Sequence, residues 1–217
     1  PPGPLRAAIG VIDRPQQQRR DPWVIDLAGA AGHVAIVGGP QAGKSTAVAT
    51  LLLALAAAHR PDELGAHVVA FGGAVLTGIA GLPHVGTIAG RQDPDLVRRI
   101  VAEVAGTVAR RERLFRDAGL TSVEEFRVRR AAGAFPDEPA TDLLLVVDGY
   151  QTLRNDFDDV EARLLPLVAR GLSYGVHVVL TAGRWAELRP AVKDQVTGRI
   201  ELRLGEPAES EVDRRAA

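Results

Sequence analysis

Cysteine is absent from the 217 residues, which excludes a disulfide framework and any thiolate metal site and suits a reducing compartment. An excess of charge of one sign is missing too: 26 Lys and Arg stand against 27 Asp and Glu, for a net charge of -1. No overall basic field therefore draws the chain to nucleic acid or to a membrane surface, and no nucleic-acid partner is expected. Long apolar runs are also lacking. The longest, residues 46–58, is alanine-rich and falls well short of the roughly 20 residues needed to span a bilayer, so it reads as a buried helix. No signal or transit segment, internal repeat or low-complexity tract is visible. His33, His59, His67 and His177 are scattered without metal-ligand spacing, so no metal site beyond Mg²⁺ is suggested.

What is present is a 46% hydrophobic chain, long enough to bury a substantial core. It begins at Pro1 and stops in the charged segment Asp213-Arg214-Arg215-Ala216-Ala217, so a piece excised from a longer polypeptide is expected. Residues 1–21, rich in Pro and Arg, read as an entry arm or linker, and residues 22–217 as one domain. Trp23-Val24-Ile25-Asp26-Leu27 alternates enough for a short edge strand. His33-Val34-Ala35-Ile36-Val37 is a strand ending in glycines, and a strong helix former starts at Lys44. Ala66-His67-Val68-Val69-Ala70 is a second strand, stopped by Phe71-Gly72-Gly73. Asp93 before Pro94 predicts a helix start, with Leu96, Ile100, Val104 and Val108 as its apolar face. Ser122 with Glu125 forms a capping box for an arginine-rich helix. Asp142-Leu143-Leu144-Leu145-Val146-Val147 is apolar without alternation, as is Val176-His177-Val178-Val179-Leu180-Thr181; such runs are central parallel strands covered on both faces. Arg199-Ile200-Glu201-Leu202-Arg203-Leu204 alternates and belongs near an edge.

Between the first core strand and its helix, Gly38-Gly39-Pro40-Gln41-Ala42-Gly43-Lys44-Ser45 satisfies G-x-x-x-x-G-K-[ST] in the required context. Backbone N–H groups and the positive end of the helix dipole cradle phosphates there, Lys44 reaches the β- and γ-phosphates, and the Ser45 hydroxyl ligates Mg²⁺. Thr46 is a candidate to extend the phosphate shell. The expected fold is α/β, a RecA-like P-loop NTPase with a mostly parallel central sheet, helices on both faces and antiparallel edge strands; the expected cofactors are ATP and Mg²⁺. Such a loop needs a carboxylate across the site at the end of a buried strand, and Asp148 fits, holding the metal through water. Hydrolytic relatives of this architecture place a second carboxylate next to it to orient water. Here that residue is Gly149, and neither it nor Tyr150 is a carboxylate base, so the catalytic residue is unassigned and hydrolysis is expected to be slow or absent.

The P-loop, Asp148 and several linked phrases resemble the FtsK/SpoIIIE-type ATPases, specifically the EccC ATPase of type VII secretion systems. The phrases are Asp26-Leu27, the P-loop through Thr46, Leu82-Pro83-His84-Val85-Gly86, Val146-Val147-Asp148-Gly149, Arg170-Gly171-Leu172-Ser173-Tyr174-Gly175-Val176-His177, and residues 181–188 and 201–214. EccC proteins resemble a membrane-anchored chain with three FtsK-like ATPase domains in tandem, and this loop with Val-Val-Asp-Gly is most similar to the second. The resemblance implies a cytoplasmic ATP-binding domain of a secretion complex, contact with adjacent ATPase domains, export of Esx-type substrates, membrane attachment only through another part of the full-length protein, and little turnover in the second and third domains. Two departures are Ala70 before Phe-Gly-Gly, where aspartate is usual, and Gly183 before Arg-Trp, where asparagine is usual; the second weakens any contact of that position with the γ-phosphate.

Arg110, Arg111 and Arg113, with Arg116, crowd a helix end and are candidates for an arginine finger in trans, set against pairing of an exposed helix face with Glu103 or Glu112. Arg184 and Arg199 are rival candidates. Trp185 with Leu188 is a candidate peptide-contact pair, set against plain core packing. His84 is expected to be hydrogen-bonded within the structure. The functional expectation is an ATP-binding secretion-motor domain with a structural or regulatory role; the alternatives are an active ATPase that powers translocation and a nucleotide-free docking scaffold. A small-molecule kinase is disfavoured because no compact lid follows Val179, and a DNA translocase by the near-neutral charge.

Overall fold

Alternating apolar runs and Gly/Pro punctuation fold into eight strands and six α-helices among the described residues of this computed structural model, 3–29 and 32–212. Pro1 and the charged end Asp213-Arg214-Arg215 lie outside them. In chain order the elements are β1 (Arg6–Arg14), β2 (Arg19–Asp26), β3 (Val34–Val37), α1 (Lys44–Ala58), β4 (Leu64–Ala70), β5 (Val85–Ala89), α2 (Pro94–Ala118), α3 (Val123–Ala131), β6 (Asp142–Asp148), α4 (Tyr150–Asp156), α5 (Asp158–Arg170), β7 (Val176–Ala182), α6 (Pro190–Lys193) and β8 (Gly198–Glu201). The main sheet has the order β5-β4-β6-β7-β3-β8, and every pairing in it is parallel. The fold is α/β with a parallel sheet between helical layers, as expected.

Strand alternation divides the core in two. Val34, Ile36, Val68, Leu144, Val146 and Val179 pack with Val48, Leu51, Leu52 and Leu55 of α1 on one face. Ala35, Val37, Val69, Leu145, Val147, Val178 and Leu180 pack with α2, α4 and α5 on the other. Helix α1 buries five of its 15 residues, among them three leucines, and full burial of a leucine is worth about 1.5–3 kcal/mol.

The sequence reading differs from the structure at the hairpin, at the sheet edges and in the elements it left out, which are β5, α4, α5 and α6. Part of the stretch read as an entry arm is β1, paired antiparallel with β2. The antiparallel pairing expected at the edges of the main sheet is found in this separate hairpin, because both edge strands, β5 and β8, run parallel to their neighbours. The hairpin buries Leu5, Ala7, Ile25 and Leu27 beside α1 and leaves Val11, Ile12 and Trp23 exposed; β1 buries only Ala7 of its nine residues, so its alternation is too weak to read. Strand β5 was not expected at all: only Val85 and Ala89 of its five residues are buried, so a short edge strand carries little apolar signal.

Candidate nucleotide site

In a parallel sheet the crevice beyond the carboxyl ends of the strands is where ligands bind, and the sequence motifs converge there. β3 runs into the loop of residues 38–43, which turns through left-handed backbone at Gln41 (φ 56°) and Gly43 (φ 94°) before α1 begins at Lys44. The first N–H groups of α1 have no intrahelical partner and carry the positive end of its dipole. Pro40, Gln41, Gly43 and Thr46 are exposed at the mouth. Lys44 folds back over the loop, its Nζ donating to the carbonyls of Gly38 at 2.7 Å and Gly39 at 2.8 Å. These are neutral acceptors that phosphate oxygens outcompete.

Asp148 ends the buried strand β6 and is 2% exposed. Its Oδ2 accepts from Ser45 Oγ at 2.7 Å and its Oδ1 from Thr181 Oγ1 at 2.6 Å. Thr181, fully buried on β7, also accepts from the N–H of Gly149 at 2.8 Å, so one hydroxyl fixes both the carboxylate and the turn after it. Thr181 was missed as a site residue. The available signal was a hydroxyl closing an apolar strand, in register with Asp148.

The segment after β4 also enters the site. Phe71 N–H donates to the Asp148 carbonyl at 2.8 Å, and a Cβ on Gly72 would stand 2.4 Å from Asp148 Oδ2 and 3.0 Å from Ser45 Oγ. Only glycine lets the chain pass that close to the pair. Gly149 has φ +104°, and a Cβ there would meet Phe71 Cβ at 3.1 Å. Tyr150 turns inward, its OH donating to Glu161 at 2.6 Å; burial first, then this hydrogen bond, raises its pKa, so it offers no base.

The donor set fits a magnesium nucleotide. Ser45 and Asp148 are hard oxygen donors side by side, the loop amides and Lys44 suit phosphate, and Gly43 has nothing within 4 Å of its missing Cβ. In such a complex Ser45 would ligate the ion, Asp148 would hold its water, and residues 38–46 would cradle the phosphates. The ion would supply neutralisation of charge between the terminal phosphates.

Other candidates lie elsewhere. Arg111 is 1% exposed: it donates to Glu138 at 2.9 Å, to the Tyr174 carbonyl at 2.8 Å and to the Ala140 carbonyl at 2.5 Å, and lies over the Phe126 ring. Burial, only partly opposed by Glu138, lowers its pKa. It has no guanidinium to offer a neighbour, so its candidacy as a finger is corrected. Arg110 is paired with Glu138 at 2.8 Å, and Arg113 is exposed; Arg111's partners Ala140 and Tyr174 precede β6 and β7, at the sheet end opposite the P-loop. Trp185 and Leu188 are 2% and 3% exposed and belong to the core, with the indole N–H donating to Glu201 and Arg199 over the ring. Their expected peptide contact is corrected: neither presents a surface. His84 donates from Nε2 to the His59 carbonyl at 2.8 Å.

A family model for FtsK/SpoIIIE proteins matches residues 5–217. The ESX secretion system protein EccC of Thermomonospora curvata is 47% identical over 215 residues, covering 99% of this chain and 16% of that protein. The ESX-4 secretion system protein EccC4 of Mycobacterium tuberculosis is 50% identical over 213 residues, covering 98% of this chain and 17% of that protein. This chain thus spans about a sixth of the length of these relatives. Among solved structures, the cytoplasmic domain of the T. curvata type VII secretion ATPase EccC superposes with a TM-score of 0.95 at 47% identity, over 98% of this chain and 25% of that one. A structure of T. curvata EccC ATPases 2 and 3 in complex with a signal sequence peptide gives 0.94 at 47% identity, over 98% of this chain and 38% of that one. With the P-loop, its partner carboxylate and the parallel sheet in place, the chain belongs to the FtsK/SpoIIIE family, and its similarity there is to the EccC ATPase domains of type VII secretion systems.

Proposed function

We propose that this domain binds ATP with Mg²⁺ at residues 38–46 and Asp148, hydrolyses it weakly or not at all, and serves a structural or regulatory role in protein export. The observation that carries the second point is Gly149. The position after Asp148 holds left-handed backbone packed on Phe71, and a water-orienting carboxylate has no place there. Bound nucleotide then acts by mass action, stabilising the folded domain and its contacts. The contacts in question are with adjacent ATPase domains of a longer chain, such as ATPases 2 and 3 of the similar T. curvata EccC; the second of the tandem domains is the position its loop resembles. Esx-type substrates are engaged indirectly. The setting is a cytoplasmic domain of a membrane-anchored complex, attached through other parts of the protein; among the described residues no helix is long and apolar enough to cross a membrane.

Calorimetric titration with ATP and Mg²⁺ beside a phosphate-release assay tests this reading. Tight binding with negligible release, lost in Lys44→Ala, is expected. Steady release that vanishes in Lys44→Ala would make the domain an active motor, and absence of binding would leave a docking scaffold.

A further inference from the structure

The end of β7 lies between the P-loop strand and the strand that carries Asp148. Val179 and Thr181 turn their side chains to the α1 side of the sheet, Val179 into the α1 core and Thr181 onto the Asp148 carboxylate. Gly183 follows β7 directly, where the chain bends toward the turn of residues 185–187, and Ala182 O accepts from Gly38 N–H at 3.1 Å. Gly183 thus stands at the carboxyl end of the sheet, beside the start of the P-loop. The space over Gly183 is taken by Glu187. A Cβ on Gly183 would stand 2.6 Å from Glu187 Oε1, and Glu187 Oε2 accepts from Gly183 N–H at 2.7 Å.

This carboxylate is held in place rather than free to leave. The turn of residues 185–187 brings it back over Gly183, and Arg154 donates to the Glu187 carbonyl at 3.3 Å. Its charge is only partly balanced: Arg184 stands 3.8 Å away, is half-exposed and also faces Glu209 at 3.6 Å, and such exposed pairs are weak. Where a chain otherwise aims N–H groups, a lysine and a helix dipole at phosphate, Glu187 adds one fixed negative charge.

From this we infer that Glu187 sets the phosphate-number preference of the site: its carboxylate opposes the added charge of a terminal phosphate and tilts binding toward a nucleoside diphosphate over the triphosphate. The inference rests on the ATP-binding reading above, and it would leave the domain holding spent nucleotide more readily than fresh.

The test is calorimetric titration of the domain, and of Glu187→Gln, with ADP and with a non-hydrolysable ATP analogue, each with Mg²⁺. Glutamine keeps an oxygen to accept from Gly183 N–H, so the turn is preserved and only the charge is lost. Removing one partly screened charge is expected to tighten the triphosphate about three- to tenfold relative to the diphosphate, and the gain should shrink at high salt. Asp62→Asn, a surface charge change before β4 at the opposite end of the sheet, is expected to leave the ratio unchanged. An unaltered ratio in Glu187→Gln, with its thermal unfolding intact, overturns the inference while leaving nucleotide binding standing. A fall in residual phosphate release in Glu187→Gln without a change in the ratio also overturns it, because Glu187 would then orient water. If the parent binds neither nucleotide, the ATP-binding reading fails and this inference with it.

Discussion

Placing glutamate at 149, to supply the carboxylate that usually follows the metal aspartate, is expected to destabilise the domain without conferring hydrolysis. Gly149 sits at φ +104°, ψ 60°, well beyond the left-handed basin near φ +57° that side chains tolerate. Its missing Cβ would press on Phe71 Cβ at 3.1 Å. Phe71 has little freedom to retreat, because its ring stacks on Phe157 at 5.4 Å and its N–H is bonded to the Asp148 carbonyl. Backbone strain of about 1–3 kcal/mol and overpacking of about 1–2 kcal/mol together threaten a large part of a typical domain stability of about 5–15 kcal/mol. The cost is borne at Cβ, so Gly149→Ala should show most of it and Gly149→Glu little more. Equilibrium urea unfolding followed by circular dichroism measures the loss, and a phosphate-release assay on the folded fraction measures turnover, which should stay at the parent level. A Gly149→Ala variant within about 0.5 kcal/mol of the parent, or a stable Gly149→Glu that releases phosphate steadily, would refute the argument.

Gly72→Ala should push apart the Ser45–Asp148 pair, since its new Cβ would stand 2.4 Å from the carboxylate; the increment that Mg²⁺ adds to nucleotide affinity is lost while binding in chelator persists, as paired titrations would show. Arg111→Ala should cost about 2–4 kcal/mol by leaving Glu138 to Arg110 alone and the Ala140 and Tyr174 carbonyls without their buried donor, whereas exposed Arg113→Ala should stay within about 0.5 kcal/mol in the same urea assay. The pH dependence has a defined sign at His33, whose pKa is lowered to about 4 by burial first and His177 second, against a hydrogen bond to Val168. Below an unfolded pKa near 6.5 the unfolded chain takes up the proton that the folded imidazole refuses, so stability is full above about 6.5, falls toward 4, and totals about 3 kcal/mol for this group; His33→Gln should flatten that slope in urea midpoints measured across the window.

The central strands, the P-loop and Asp148 were legible because each is local: a run of apolar residues, a spacing, a carboxylate at a strand end. The P-loop's partners were not, because they arrive from elsewhere in the chain. Thr181 reaches Asp148 across 33 positions, Gly72 matters for an atom it lacks, and Glu187 reads as one more surface acid until the turn places it over Gly183. The arginine cluster was legible in part. Arg111 continues the stripe of Val104, Val108 and Phe115 along α2, at the three- and four-residue spacing of a buried face, so helical periodicity marks it as inward where its neighbours point out. Trp185 and Leu188 carried no such marker, because a short turn between β7 and α6 has no period from which a face can be read.

What separates the two ends of this sheet is how tightly their polar groups are committed. At the amino ends of the strands, Arg127 holds Asp142 by two bonds of 2.9 and 2.8 Å while His177 approaches the same carboxylate at 3.3 Å. Burial alone would raise that carboxyl, yet the hydrogen bonds from His177 and Arg127 outweigh it and hold the pKa below its usual range. Exchanging any member for a ligand strands a buried charge, which costs several kcal/mol. At the carboxyl ends, Lys44 rests on two neutral carbonyls and Ser45 on one carboxylate oxygen, and the loop around them is open to water. On the proposed ATP-binding reading, phosphate and a hard cation would replace those contacts with stronger ones, so the swap would run downhill. A count of charged residues does not distinguish the two ends; the number and strength of the partners each one would have to give up does.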